Sequence, residues 1–117
     1  MNFFNQPSDI APVIQLYAHI AEKSAALLKL AQQERWDEFP DAESELNHLI
    51  AQLERFDAPA GLEGTQADAL LQEVYIKQIM LDNERTASLV RERTRSLEDM
   101  LKAAARRQKL DEGYGET

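Results

Sequence analysis

The sequence predicts an all-α fold: an antiparallel bundle of three main helices plus a C-terminal helical segment, folded back or continuing the third helix. Three observations predict it. Glycine and proline total eight in 117 residues, and none interrupts the middle of an apolar stretch. Helix-favouring Ala, Leu, Glu, Gln and Arg are abundant throughout. Phe39, Ala42, Leu46, Leu49, Leu53 and Phe56 recur at alternating spacings of three and four, which sets all six on one helical stripe. The length suits one small domain over residues 1–117 with a modest core, its helices at about 10–34, 37–57, 65–95 and 97–110.

Helix 1 is expected to start at Ser8 or Asp9 as N-cap, with Pro12 in the first turn, where its missing N–H costs nothing. Val13, Leu16, Tyr17, Ile20, Leu27 and Leu28 mark its buried side, and Ala21, Ser24 and Ala31 permit close approach of a neighbour. The helix fades near Glu34, Trp36 sits at the corner, and Asp37 is the predicted N-cap of helix 2. Pro40 still falls within the tolerated first turn. DAPAGLEG, Asp57 to Gly64, is the clearest loop.

Thr65 with Asp68 resembles a capping box and opens helix 3. From Leu70 to Leu81, eight of twelve residues are apolar, and at about 100° per residue they do not share one face. Tyr75 and Ile79 align with Thr86, Val90, Leu97 and Leu101; Leu70, Val74 and Leu81 form a second stripe; Ile76 and Met80 form a third edge. A bundle helix needs one broad stripe, so the surplus marks a binding surface. An unbroken helix from Gln66 to Leu110 would span about 68 Å, longer than either earlier helix. Ser96 and Asp99 offer a cap for a fourth helix, whereas KAAARRQ, Lys102 to Gln108, favours continuity.

Composition narrows the function classes. There is no cysteine, hence no disulfide framework, thiol nucleophile or thiolate metal site. MNFFNQPSD lacks the basic region and apolar run of a signal peptide, and no apolar stretch is long enough to cross a bilayer. The net charge of −8 argues against nucleic acid or an anionic membrane as partner. It is uneven: residues 34–57 hold eight acidic and two basic side chains, whereas residues 82–110 hold eight basic and five acidic. The basic segment is suited to docking reversibly on the acidic body, against the plainer reading of solvated helix faces.

Chemical constellations are weak. Glu45 and His48 make one Glu-x-x-His, but a di-iron bundle needs the motif twice with further inward glutamates. Ser8, Ser24, Ser44, Ser88 and Ser96 lie at caps or in helices without a nucleophile elbow, and the glycines form no phosphate-cradling loop. No catalytic residue, metal or cofactor is expected, and the chain does not read as an enzyme. Asp82 falls on the main stripe and needs a partner, Arg85 or a residue across the bundle. The expected function is helix-in-groove binding by Leu46, Ile50, Leu53, Val74, Ile76, Ile79 and Met80. Ile50, Ile76 and Met80 lie off the predicted seams; Leu46, Leu53 and Ile79 fit ordinary core packing equally well. Leu97, Met100, Leu101 and Ala104 give the C-terminal segment an apolar face of its own. The alternative is a self-associating coiled-coil scaffold built on an overlong helix 3.

Four short motifs carry a family resemblance: EKS in helix 1 (Glu22 to Ser24), ERWDEF at the turn into helix 2 (Glu34 to Phe39), MLDNE in helix 3 (Met80 to Glu84), and Tyr114-Gly115. In this order, within a small acidic helical chain, they resemble the FliT-like flagellar export chaperones over nearly the whole sequence. The resemblance implies a cytoplasmic bundle, a monomer or weak homodimer, that binds the C-terminal helical region of the filament-capping protein FliD. Such binding prevents early assembly and delivers the subunit to the type III export apparatus. It also implies contacts with the export ATPase complex and, in some bacteria, restraint of the master activator FlhDC. The C-terminal segment, here Leu97, Met100, Leu101 and Ala104, is implied to be autoinhibitory, folding over the binding surface. The Ala-rich Lys102 to Gln108 departs from members that carry a helix-weakening stretch there.

Overall fold

Helix propensity and the three-four spacing of apolar residues produce three α-helices, α1 (Pro12–Gln32), α2 (Phe39–Glu54) and α3 (Gln66–Gly115). The computed structural model describes residues 12–56 and 66–115, with side chains to Gly113. Ser8, Asp9, Thr65, the 57–64 loop and the Tyr114 side chain lie outside the described residues.

Pro12 is the first described residue of α1, and the expected start at Ser8 or Asp9 lies outside the described residues. The buried side is wider than expected: Val13, Ile20, Ser24, Leu27 and Ala31 form one stripe, and Ile14, Ala21 and Leu28 form a second beside it. Together they cover an arc of about 140°, more than one neighbouring helix hides. Ile14 is therefore core, while Leu16 and Tyr17, at or near the arc but bulky, are only half-buried. Ser24 is fully buried, and its hydroxyl has no hydrogen-bond partner among the described residues.

The corner between α1 and α2 is built from backbone geometry. Arg35 N–H donates to Leu30 O at 2.9 Å, and Glu34 N–H donates to Ala31 O at 3.1 Å. These are the two bonds of a Schellman cap, with Glu34 at φ 57° in the left-handed position usually given to glycine. Asp37 is not the N-cap of α2; Glu38 occupies that position, and it makes no side-chain cap bond. Its carboxylate is taken by Arg35, whose Nη2 donates to Oε1 at 2.7 Å and whose Nε donates to Oε2. The fork holds the Glu38 carboxyl below its ordinary pKa and raises that of Arg35. Trp36 and Phe39 close the corner with ring centroids 5.5 Å apart, and Phe39 is buried.

α2 packs closely along α1, and Lys23 Nζ reaches Glu45 Oε1 at 3.0 Å between them. Phe39, Leu46 and Leu49 of the seam are buried, Ala42 and Leu53 are half-buried, and Phe56 is exposed. The helix ends at Glu54, short of the expected residue 57. Its last turn tightens: Arg55 N–H donates to Gln52 O at 3.2 Å and Phe56 N–H to Leu53 O at 3.1 Å.

α3 is one helix of 50 residues, where separate helices were expected at 65–95 and 97–110. No glycine or proline occurs between Thr65 and Glu112, and Ser96 with Asp99 is spent inside the helix. The chain divides into two compact units, Met1–Thr86 and Ala87–Thr117. The first contains α1, α2 and the start of α3. The second is helical throughout its described length to Gly115, and every described side chain from Thr94 to Gly113 is exposed.

Candidate functional site

On α3 within the first unit, burial separates two opposite faces. Gln72, Tyr75, Ile76, Ile79, Asp82, Asn83 and Thr86 are buried or half-buried, and their spacing places them on one side of the helix. Thr86 satisfies its hydroxyl by donating to the Asp82 carbonyl at 2.9 Å, one turn earlier. Asp82 itself is only 9% exposed. Neither Arg85 nor any other described cation pairs with its carboxylate, so the expected ion pair is not formed.

Leu70, Val74 and Leu81 follow at intervals of four and seven and lie on the opposite side, 59, 58 and 48% exposed. Leu71 borders this stripe on one flank, and Met80, 66% exposed, on the other. Five large apolar side chains thus face solvent within twelve residues of one regular helix. The Lys77–Glu73 ion pair, 3.1 Å long, lies on the same side between the Leu70, Val74 and Leu81 line and Met80, so the face mixes exposed apolar side chains with one exposed charge pair, a composition chemically suited to docking.

The residues expected to bind a partner divide accordingly. Val74 and Met80 are on the open face. Ile76 and Ile79 are half-buried on the covered side, and Ile50 and Leu53 are half-buried on α2. Leu46 is 4% exposed and belongs to the core. Leu70, Leu71 and Leu81, absent from the expected set, belong to the open face; the second-stripe spacing of Leu70, Val74 and Leu81 signals two of them in the sequence, and Leu71 carries no such signal. In the second unit Leu97, Met100 and Leu101 are exposed, as is Ala104.

The polar chemistry is sparse. Glu45 is engaged by Lys23, and Glu45 and His48 are both exposed. Among the described residues, no three His, Asp or Glu side chains converge on a possible metal position. No helix of the described residues is long and apolar enough to cross a membrane.

A family profile described as the flagellar protein FliT matches residues 14–116, which takes in α2, α3 and nearly all of α1. The chain belongs to the FliT family. Over 106 residues it is 29% identical to the flagellar protein FliT of Photorhabdus laumondii subsp. laumondii, covering 89% of this chain and 82% of that relative. No solved structure matches the chain. Membership of the FliT family places the protein in the flagellar system. The matched span includes both α3 faces described above.

Proposed function

We propose that the protein is a flagellar export chaperone that binds the C-terminal helical region of the filament-capping protein FliD in the cytoplasm. It would keep that region from assembling early and deliver the subunit to the type III export apparatus. The single observation that carries this reading is the open stripe of Leu70, Val74 and Leu81 with Met80 beside it. An amphipathic helix laid along that stripe buries apolar area on both partners, which is how helix-in-groove recognition gains its affinity. Ile76 and Ile79, with Ile50 and Leu53 on α2, would contribute at the margins, and Leu46 would act by supporting α2 from the core. No catalytic step, metal or cofactor enters.

On the same reading, Leu97, Met100, Leu101 and Ala104 restrain access to the binding surface. Contacts with the export ATPase complex and restraint of FlhDC are further activities that family membership supports. Co-purification of the full chain with a FliD fragment carrying its C-terminal helical region tests the reading. A stoichiometric complex is expected, and absence of any complex at micromolar concentrations would overturn it.

A further inference from the structure

Asp82 is 9% exposed, yet among the described residues its carboxylate makes no contact that would offset its burial. Thr86 donates to the Asp82 carbonyl and leaves both carboxylate oxygens unused. No described cation pairs with them, Arg85 included, which lies exposed one turn further. Residues 1–11, 57–65 and 114–117 hold no lysine, arginine or histidine, so no side-chain cation of this chain answers Asp82. The oxygens are not sealed from solvent. Among the described residues, Ser24 Oγ alone is both closed off from solvent and without a hydrogen-bond partner, so the Asp82 carboxylate keeps a narrow opening. Helical geometry sets Asp82 at the edge of the open α3 face. It follows Leu71 by eleven residues, about 16 Å along the axis and within about 20° around it. Leu71 in turn flanks the Leu70, Val74 and Leu81 stripe.

We propose that Asp82 receives an arginine side chain from the helix that docks on the open α3 face, an inference that rests on the partner-binding reading of that face. An ionised carboxylate held largely out of water is costly without a counter-charge, and no side chain of this chain supplies one. A docked helix does. The line of Val74 lies about 80° around α3 from Asp82, roughly 7 Å along the helix surface, which an extended arginine spans. A guanidinium forks onto a carboxylate with two parallel hydrogen bonds and sheds water more readily than an ammonium, so arginine fits better than lysine. The contact also selects. A helix with no cation at that register leaves the carboxylate covered and unpaired, a penalty that an apolar stripe by itself does not impose. Asp82 is thus a specificity determinant that sets the register of the docked helix, while Leu70, Val74 and Met80 supply the apolar area.

Calorimetric titration of the FliD fragment into the full wild-type chain and into Asp82→Asn reads the contact, with urea denaturation of both chains alongside. Asp82→Asn should keep or raise the denaturation midpoint, because a buried unpaired charge is removed. Its affinity for the fragment should nevertheless fall about tenfold or more. A purely structural Asp82 would lower the midpoint instead. Replacing each arginine of the fragment in turn by glutamine completes a double-mutant cycle. One replacement should weaken binding to the wild-type chain and have little further effect on binding to Asp82→Asn. Wild-type affinity in Asp82→Asn, a lowered midpoint, or additive effects at every arginine would each overturn the role of Asp82 while leaving the FliD reading in place. A wild-type chain that binds no fragment would overturn the FliD reading, and this inference with it.

Discussion

Ile79 and Met80 are consecutive on α3, yet Ile79 is half-buried on the covered side and Met80 is 66% exposed on the open one. A helical step of about 100° separates scaffold from surface at this point. Truncation should reveal the division. Ile79→Ala is expected to cost about 1–2 kcal/mol of stability, and Met80→Ala less than about 0.5 kcal/mol. Urea denaturation of the two variants measures this; equal losses would show that both side chains belong to the core.

Glu34 holds a left-handed conformation at φ 57° to complete the cap of α1. A residue with a Cβ is strained there by about 1 kcal/mol or more, and glycine is not. Glu34→Gly should therefore raise stability by about 0.5–1 kcal/mol, despite the greater freedom of glycine in the unfolded chain. A lowered denaturation midpoint would mean that the Glu34 side chain supports the corner.

Ser24 is fully buried beside Ala21, Leu27 and Leu28 of α1, and its hydroxyl has no partner among the described residues. Ser24→Ala removes a buried polar group without altering the close approach, and about 1 kcal/mol of stabilisation is expected. Ser24→Leu should destabilise by about 2 kcal/mol or more, because the close-packed site has no room for the added carbons. Thermal melts of the pair settle the sign of each effect.

Arg35 and Glu38 form a solvent-exposed fork that lowers the Glu38 pKa. The contribution of the fork is complete above the ordinary carboxylate range and is lost as pH falls through the lowered value. An NMR titration of the Glu38 side chain should give a midpoint below that of the same residue in Arg35→Ala. Identical midpoints would show that the fork does not persist in solution.

Much of this was legible in the residues themselves. The Phe39-to-Phe56 seam predicts α2 and the burial of Leu46 and Leu49, because three-four spacing leaves few other arrangements. Ile14 was not legible as core, since α1 buries two adjacent stripes and one-stripe logic admits only the first. Glu34 was hidden because glycine is the usual signal for a left-handed cap. Asp37 lost its expected capping role to Glu38, at a corner where Arg35 competes for the Glu38 carboxylate. Leu70, Val74 and Leu81 were visible as a stripe, but which of three stripes would remain open depends on tertiary packing that periodicity does not encode. The continuity of α3 through Ser96 is likewise a balance between a local cap signal and the propensity of KAAARRQ.

The restraining role proposed for the C-terminal segment gives a separate expectation. A chain ending at Ser96 lacks Leu97, Met100, Leu101 and Ala104 and should bind the FliD fragment more tightly than the full chain. Isothermal titration calorimetry compares the two, and equal or weaker binding by the shorter chain would remove that role.

The most direct measurement of the central claim is the affinity of a chain carrying Val74→Asp and Met80→Asp for the C-terminal helical region of FliD. Both sites are exposed, so the variant should keep the wild-type helical signal and melting behaviour. Affinity should fall by a factor on the order of a hundred or more, as two charges enter an apolar contact. A variant that folds normally and binds with wild-type affinity would contradict the assignment of the open α3 face as the partner-binding surface.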